Sequence, residues 1–253
     1  MDHLNQIIAI AEQAGQAILE VYQQDNAAFN ITGKADDSPL TAADLASHQL
    51  IVKALQQLTP DLPILSEEAA DISWDIRQTW SRYWLVDPLD GTKEFIKRNG
   101  EFTVNIALIE DGEPVMGVIH APVLNKTYYA AKGAGAFVKT EAGVTAAKVS
   151  QPGAVIRVVG SRSHPSPELA DYLAQFPQHD MVPVGSSLKF CLVAEGAADV
   201  YPRFGPTMQW DTGAGHIIAL EAGATVRFDG ISDKVYQREN LRNPGFIVSA
   251  LQG

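Results

Sequence analysis

Two aspartates, Asp87 and Asp90, are the first residues of this sequence whose type and spacing suit chemistry. They follow the apolar run Trp84-Leu85-Val86, which has the composition of a buried strand. Pro88 stiffens the turn after this run, and Gly91 permits close backbone approach. Paired carboxylates at the exit of a strand are common at functional sites of layered α/β folds. The competing interpretation is an ordinary polar turn.

Other acidic side chains occupy comparable positions elsewhere in the chain. Glu67 and Glu68 end the apolar segment PILS, and Asp211 opens a helical stretch that Gly223 should terminate. Taken singly, each has an ordinary explanation. Glu67 and Glu68 fit a solvated loop, and Asp211 fits an acidic group favoured by the helix dipole. Taken together, they suggest one acidic cleft.

An acidic cleft of this kind needs a source of positive charge. Converging carboxylates repel one another at neutral pH unless they are protonated or bridged by a cation. Oxygen ligands without any cysteine or histidine spacing favour Mg²⁺ or Mn²⁺ over zinc. A bridging Asp87 could serve two such ions, an arrangement that suits in-line displacement at phosphorus. The pattern therefore predicts a metal-dependent site that acts on a phosphate.

The apolar spacing predicts the elements that must position these residues. Helical spacing covers 3–22 and 41–58, with a polar, turn-rich loop between them. The strands expected in the first half are 62–65, 83–86, 102–110, 114–121 and 127–131. The second half alternates strands at 155–159, 181–184, 198–201, 224–228 and 246–249 with helices at 167–174, 187–195 and 210–222. The fold class is therefore α/β, in an α+β layered arrangement.

We place a domain boundary near residue 150. The half 1–150 then carries most of the candidate metal ligands. The half 151–253 carries the last of them and the residues expected to set substrate specificity.

The composition excludes several classes of function. The chain has 253 residues, a formal net charge of -11 and a sequence pI near 4.9, which argues against nucleic acid and against a polybasic membrane anchor. No apolar run approaches the length of a spanning helix, and the first residues lack the features of a signal peptide. The single cysteine, Cys191, allows no internal disulfide and fits a reducing compartment. We expect a cytoplasmic protein.

The acidic motifs and their neighbours resemble those of one family. Glu67-Glu68, the segment DPLDGT at 87–92, and Trp210-Asp211 followed by small residues are similar to the motifs of the inositol monophosphatase superfamily of Mg²⁺-dependent, lithium-sensitive phosphatases. The segments KEFIKRNGEFTVNIA at 93–107 and GSSLKFC at 185–191 resemble more specifically its bacterial CysQ-type 3′(2′),5′-bisphosphate nucleotidases. The resemblance runs from the first helix to NPGFIVSA near the end. It implies alternating layers of helices and sheets, an αβαβα sandwich.

The resemblance also implies a set of metal ligands. Glu67, Asp87 and the backbone carbonyl of Leu89 would hold a first Mg²⁺, and Asp87, Asp90 and Asp211 would hold a second. A third, looser Mg²⁺ near Glu67 would help to position the attacking water, which makes Glu67 catalytic as well. Mn²⁺ would substitute for Mg²⁺.

Thr92 is similar to the family's threonine that orients the attacking water together with an aspartate, which here is Asp44. The residues alone favour another role for Asp44, because Thr41-Ala-Ala-Asp44 before an apolar helix is also a capping box. The two roles are only partly compatible, since a carboxylate used fully by Thr41 has less left for Thr92. With the resemblance included, we favour the catalytic role.

Two groups of residues are expected to contact the substrate. The first group belongs to the acidic motifs and comprises Leu89, Asp90, Gly91, Thr92 and Asp211. The group that the resemblance places around a second phosphate is Ser161, Arg162, His164, Ser186, Lys189 and Arg203. Taken singly, Lys189 and Arg203 would be ordinary surface charges, and His164 would cap a turn.

The resemblance implies hydrolysis of the 3′-phosphate of adenosine 3′,5′-bisphosphate (PAP) to AMP and phosphate. It also implies conversion of the sulfated analogue PAPS to APS, with a role in sulfur assimilation. The expected partner is this small nucleotide, without nucleic acid or a transmembrane segment, and the protein is expected to be a monomer or weak homodimer. The resemblance to some relatives also implies peripheral contact of the protein with the cytoplasmic face of the inner membrane. An inositol monophosphatase or other sugar phosphatase of the superfamily, or a catalytically silent metal or nucleotide sensor, remains the alternative.

Overall fold

The computed structural model of the chain describes residues 3–24, 29–33, 39–160 and 167–251. The α-helices within these residues are α1 (Leu4–Tyr22), α2 (Ala42–Leu58), α3 (Trp74–Arg77), α4 (Thr92–Ile96), α5 (Pro167–Leu173), α6 (Leu188–Ala194) and α7 (Gln209–Glu221). The strands of the first half are β1 (Thr32–Gly33), β2 (Pro39–Leu40), β3 (Ile64–Ser66), β4 (Arg82–Asp90), β5 (Thr103–Glu110), β6 (Glu113–Ala121), β7 (Lys126–Ala131), β8 (Gly135–Thr140) and β9 (Gly143–Ala147). Those of the second half are β10 (Ile156–Gly160), β11 (His179–Pro183), β12 (Val200–Arg203), β13 (Thr207–Met208), β14 (Thr225–Phe228), β15 (Arg242–Asn243) and β16 (Phe246–Ser249).

The larger sheet has the strand order β3-β4-β5-β6-β7-β8-β9. Adjacent strands of this sheet pair antiparallel except for β3, which runs parallel to β4. Because successive side chains of a strand point to opposite faces, β4 serves two cores. Two of its residues, Trp84 and Val86, pack with α1 and α2, whereas Leu85 belongs to the core on the other side of the sheet.

The smaller sheet has the strand order β11-β10-β12-β16-β14. Helix α7 shares one core with both sheets, since Ile217 packs in the same cluster as Leu85 of β4 and Phe246 of β16. The helix lies very close to the larger sheet, because a Cβ on Gly117 of β6 would stand only 2.6 Å from the carbonyl oxygen of Ala214. The layers therefore alternate as predicted, helices on sheet on helices on sheet, with α5 contacting β12 at the far side.

Most of the predicted elements are confirmed within about two residues of their ends, and two differences matter. Strand β4 runs to Asp90 rather than ending at Val86, so both aspartates lie within the strand. Strands β8 and β9 were not predicted at all. None of the described helices combines the length and the apolar character needed to cross a bilayer. The boundary near residue 150 stays a prediction.

Candidate active site

The aspartates of β4 are held by a break in its pairing with β5. Asp87 pairs with Asn105 and Asp90 with Thr103, and the register shifts between them. Such a bulge bends a strand and re-aims its side chains. The predicted turn at Pro88 is therefore an irregularity inside a strand, and the chain turns only at Gly91, whose φ of 95° is left-handed. Asp87 is 1% exposed, and its Oδ1 accepts a hydrogen bond from the Leu89 N–H at 3.1 Å.

Two further elements bring acidic groups to the same place. Glu67 begins a short 3₁₀ turn directly after β3, and β3 is parallel to β4, so both strands leave at one edge of the sheet. Asp211 lies in the first turn of α7, where its Oδ2 accepts a hydrogen bond from the Met208 N–H at 2.8 Å. The ordinary interpretation of Asp211 as a helix-terminal charge is therefore correct, and the same residue also faces the acidic cleft.

The carboxylates influence one another strongly. Burial raises the pKa of Asp87 well above its usual range, and the charges of Glu67, Asp90 and Asp211 raise it further. Burial followed by the charge of Asp90 likewise raises the pKa of Asp211. For Asp90, burial again raises the pKa, while Lys189 and the Ser187 N–H oppose it. The cleft is therefore short of positive charge.

This donor set fits a hard cation by its chemistry, since it offers carboxylate oxygens and carries like charges that a cation would neutralise. Across the described ranges, no three aspartate, glutamate, histidine or cysteine side chains form a group that could hold a metal ion as placed. The assignment of Glu67, Asp87, Leu89, Asp90 and Asp211 as ligands stays a prediction.

Asp44 makes both of the contacts that the sequence left in competition. Its Oδ2 accepts hydrogen bonds from the backbone N–H and the hydroxyl of Thr41, at 2.8 and 2.5 Å. Its Oδ1 accepts from the Thr92 hydroxyl at 3.1 Å. The two oxygens thus divide the capping and the threonine contact between them. Burial raises the pKa of Asp44 to about 6, although the hydrogen bonds from Thr41 lower it in part.

Helix α2 also contacts the ends of β3 and β4, next to the acidic residues, through side chains that the sequence did not single out. The Ser47 hydroxyl donates to the carbonyl oxygen of Pro88 at 2.7 Å, and His48 Nδ1 lies 2.9 Å from the hydroxyl of Ser66. Ser47 stands three residues after Asp44, which places both on one face of the helix. This spacing from Asp44 is the feature of the sequence that could have indicated Ser47 as a residue of the site.

A cavity of about 340 Å³ opens beside Asp90 and Asp211. Its lining includes Gly91, Ser186, Lys189 and Arg203 of the predicted substrate group, so the structure brings these residues together with the carboxylates. The cavity is also lined by two further lysines, Lys93 and Lys97, which the sequence did not indicate as substrate contacts.

Lys189 is not the ordinary surface charge that it would be in isolation. It is 7% exposed, and its Nζ donates to the carbonyl oxygen of Ser186 at 2.7 Å. Burial lowers the pKa of Lys189 to about 8, and the charge of Asp90 opposes this shift. Arg203 donates from Nη2 to the Pro206 carbonyl oxygen at 3.0 Å.

Some predicted contacts stand outside this cavity. Leu89 is buried, and its carbonyl oxygen lies 3.4 Å from the Thr92 hydroxyl, so these two residues stand beside Asp44. Ser161, Arg162 and His164 lie outside the described residues, so their place at the site stays a prediction.

The alternating layers, and the acidic cleft beside a cavity that also carries lysine and arginine side chains, are those of a phosphatase with a layered α/β fold. The model of the inositol monophosphatase family matches residues 2–248, and the chain belongs to this family.

The similar proteins agree with this class. The chain is 55% identical to the 3′(2′),5′-bisphosphate nucleotidase CysQ of Salmonella typhimurium over 247 residues, which cover 97% of this chain and 99% of that protein. It is 53% identical to the protein of the same name from Escherichia coli K12 over the same share of both chains. Among solved structures, CysQ from Bacteroides thetaiotaomicron has a TM-score of 0.85 at 43% identity, covering 96% of this chain and 95% of the other. The IMPase of Thermotoga maritima has a TM-score of 0.74 at 25% identity, covering 98% and 92%.

Proposed function

We propose that this chain is a 3′(2′),5′-bisphosphate nucleotidase that removes the 3′-phosphate of PAP to give AMP and phosphate. The observation that carries the proposal is the composition of one cavity. It is lined by four cationic side chains, Lys93, Lys97, Lys189 and Arg203, beside the carboxylates of Asp90, Glu94, Glu101 and Asp211. A substrate with two phosphates can use both kinds of group, whereas an inositol monophosphate offers only one phosphate. The names of the similar nucleotidases support the same choice.

We propose Mg²⁺ as the cofactor, with Glu67, Asp87 and the Leu89 carbonyl holding one ion and Asp87, Asp90 and Asp211 another. A third ion near Glu67 and substitution by Mn²⁺ belong to the same proposal. The bound ions would neutralise the carboxylates and lower the pKa of the attacking water. The oxygen-only donor set and the raised pKa of Asp87 support this assignment.

The Thr92–Asp44 pair would orient the water that attacks phosphorus. The Thr92 hydroxyl has one proton and donates it to Asp44 Oδ1 at 3.1 Å, so its oxygen lone pairs remain as acceptors for a proton of the water. The Asp44 carboxylate is held with Oδ1 towards Thr92 because its other oxygen accepts a hydrogen bond from the Thr41 N–H. The water oxygen then forms a bond to phosphorus as the bond from phosphorus to the 3′-oxygen breaks. One proton of the water ends on the leaving oxygen and the other stays on the released phosphate. The pair thus acts by positioning, which is a large part of catalysis in phosphoryl transfer.

A substrate panel tests the function. Phosphate release with MgCl₂ is measured for PAP, PAPS, 3′-AMP, myo-inositol 1-phosphate and fructose 1,6-bisphosphate, with EDTA as the control. We expect kcat/KM for PAP to exceed that for myo-inositol 1-phosphate, the nucleotide product to be 5′-AMP, and EDTA to stop release. A higher kcat/KM for the inositol or fructose phosphate would assign the protein to the sugar phosphatases. Release of the 5′-phosphate instead would overturn the assigned orientation. Activity on PAPS, the cytoplasmic location and the monomer or weak homodimer remain predictions beside it.

A further inference from the structure

Glu101 lies on the segment between α4 and β5, and it lines the cavity next to Gly185, a residue from a distant part of the chain. Its Oε2 accepts a hydrogen bond from the Gly185 N–H at 2.9 Å, although 84 residues separate the two. Its own N–H donates to Asn99 Oδ1 at 2.9 Å, which anchors the backbone from which the side chain extends. The contact therefore joins a fixed point to the loop 185–187 that precedes α6.

This loop is tightly bent and has little room to relax into another shape near Glu101. Ser186 has a φ of 46°, a left-handed conformation that non-glycine residues adopt only at a cost. At Gly185, an added Cβ would lie 2.9 Å from the carbonyl oxygen of Glu101 and 3.1 Å from its Cβ. A bend of this kind persists only where surrounding contacts hold it.

Loop 185–187 connects the two functional parts of the cavity. The Ser187 N–H donates to Asp90 Oδ2 at 2.5 Å, which ties the end of the loop to the acidic cleft. The carbonyl oxygen of Ser186 accepts from Lys189 Nζ at 2.7 Å, so the bend also sets where this ammonium lies. Asp90 holds one end of the loop, and Glu101 holds the other.

The charge of Glu101 makes its position informative. It lines a cavity that, under the proposed function, receives a nucleotide with two phosphates. A carboxylate there repels such a ligand, so charge alone would favour a neutral residue. The hydrogen bond from the Gly185 N–H gives a structural reason for an acceptor at this position.

We propose that Glu101 is a positioning residue for the second-phosphate side of the substrate site. Its carboxylate holds loop 185–187 in the bend that aims Lys189, and it acts through the loop rather than by touching the substrate. This inference rests on the proposed function for its consequence in catalysis. The tether, by which we mean the hydrogen bond from the Gly185 N–H to Glu101, does not depend on that function.

The experiment compares Glu101→Ala, which removes the acceptor, with Glu101→Gln, which keeps an acceptor and removes the charge. If positioning dominates, Glu101→Ala raises KM for PAP about tenfold, the expected effect of one lost hydrogen bond, with kcat little changed. KM for 3′-AMP, which lacks the second phosphate, stays near the wild-type value. Glu101→Gln leaves KM for PAP unchanged or lowers it. If only charge matters, both variants lower KM alike, and that result overturns the proposal.

A second measurement follows the loop without any substrate. Amide hydrogen exchange of the peptide covering 184–189 should become faster in Glu101→Ala and stay at the wild-type rate in Glu101→Gln. Unchanged exchange in Glu101→Ala would disprove the tether. If the wild type does not hydrolyse PAP, the proposed function fails, while this measurement still decides the tether.

Glu94→Gln is the matched control. Glu94 lines the same cavity and touches the same loop through its stem, since a Cβ on Gly185 would lie 2.8 Å from Glu94 Cγ. Its substitution removes the same charge and leaves the Gly185 hydrogen bond in place. Exchange of 184–189 should not change in this variant, and an increase equal to that of Glu101→Ala would contradict a specific role for Glu101.

Discussion

Two buried aspartates of this chain, Asp199 and Asp87, differ in the charged groups that surround them. Asp199, fully buried before β12, accepts three hydrogen bonds from Arg157 of β10, one from its backbone N–H and two from its guanidinium, and a fourth from Ser150. Asp87 is also buried, but the charged groups that act on it are Glu67, Asp90 and Asp211.

The pKa values of these aspartates move in opposite directions for this reason. Burial by itself raises the pKa of Asp199, but the hydrogen bonds and charge of Arg157 outweigh burial and lower it. At Asp87, burial and the neighbouring charges both raise the pKa. A carboxylate that the chain itself neutralises serves the fold. A carboxylate surrounded by its own sign is typical of a functional site that receives its positive charge from outside.

The largest contrast is expected on removing one charge from the acidic group. Asp87→Asn should lower kcat for PAP by about a thousandfold, because the site would lose a proposed metal ligand and its electrostatic support. The same variant should melt at an equal or higher temperature in EDTA, because one repulsive charge is gone. Steady-state rates and thermal unfolding in EDTA check the two halves. A clearly lower melting temperature would mean that Asp87 is a structural residue.

Asp90→Asn refines this expectation. Its Oδ2 accepts from the Ser187 N–H at 2.5 Å, and Lys189 acts on it as a favourable charge. We therefore expect a similar loss of turnover but less gain in stability than for Asp87→Asn.

Asp199, which Arg157 neutralises, should respond to substitution in the opposite way. Asp199→Ala should lower the free energy of unfolding by about 3 kcal/mol, at the low end for a broken buried ion pair because the Arg157 side chain is 35% exposed. Its kcat/KM for PAP should stay near the wild-type value. Urea unfolding and steady-state rates measure both quantities. A loss of activity without a loss of stability would place Asp199 in the site.

Lys189 combines features of both cases, because it is a cation supplied by the chain, as Arg157 is, but it acts on Asp90 of the acidic cleft. If it contacts the second phosphate, Lys189→Ala should raise KM for PAP about tenfold more than KM for 3′-AMP, as expected for a lost charge-assisted contact. Equal changes with the two substrates would restrict Lys189 to supporting Asp90 and Ser186.

The smallest expected effect concerns pH. The pKa of Asp199 is lowered in the folded state, so its stabilisation is present above the unfolded value of about 3.9 and is lost as pH falls through the folded value. The difference in unfolding free energy between wild type and Asp199→Ala should therefore stay constant from pH 7 to about 4.5 and decrease below about 4. Urea unfolding at a series of pH values measures it. A decrease already between pH 7 and 5 would contradict the lowered pKa.

The sequence predicted the parts of the fold that have a local signal. The apolar spacing of α1 and α2 and the acidic motifs were both visible in the chain. Strand β9 was missed because four of its five residues are exposed and give no apolar pattern. The bulge in β4 was missed because the apolar run ends at Val86, while pairing with β5 extends to Asp90.

The residues that support the site were harder to predict because their contacts are distant in sequence. Ser47 reaches a carbonyl 41 residues away, and the Ser187 hydroxyl bonds to Asn105 Oδ1 from 82 residues away. The competition at Asp44 also could not be resolved from spacing, since it depends on which carboxylate oxygen faces Thr92.

Thermal unfolding with increasing MgCl₂ tests most directly whether the acidic cleft takes its positive charge from divalent cations. Wild type and Asp199→Ala should both melt about 5 °C higher, or more, once Mg²⁺ is near a hundredfold excess over its dissociation constant. Asp87→Asn should lose most of this shift, and KCl at equal ionic strength should not reproduce it. Equal shifts in all three proteins, or an equal shift in KCl, would contradict the account.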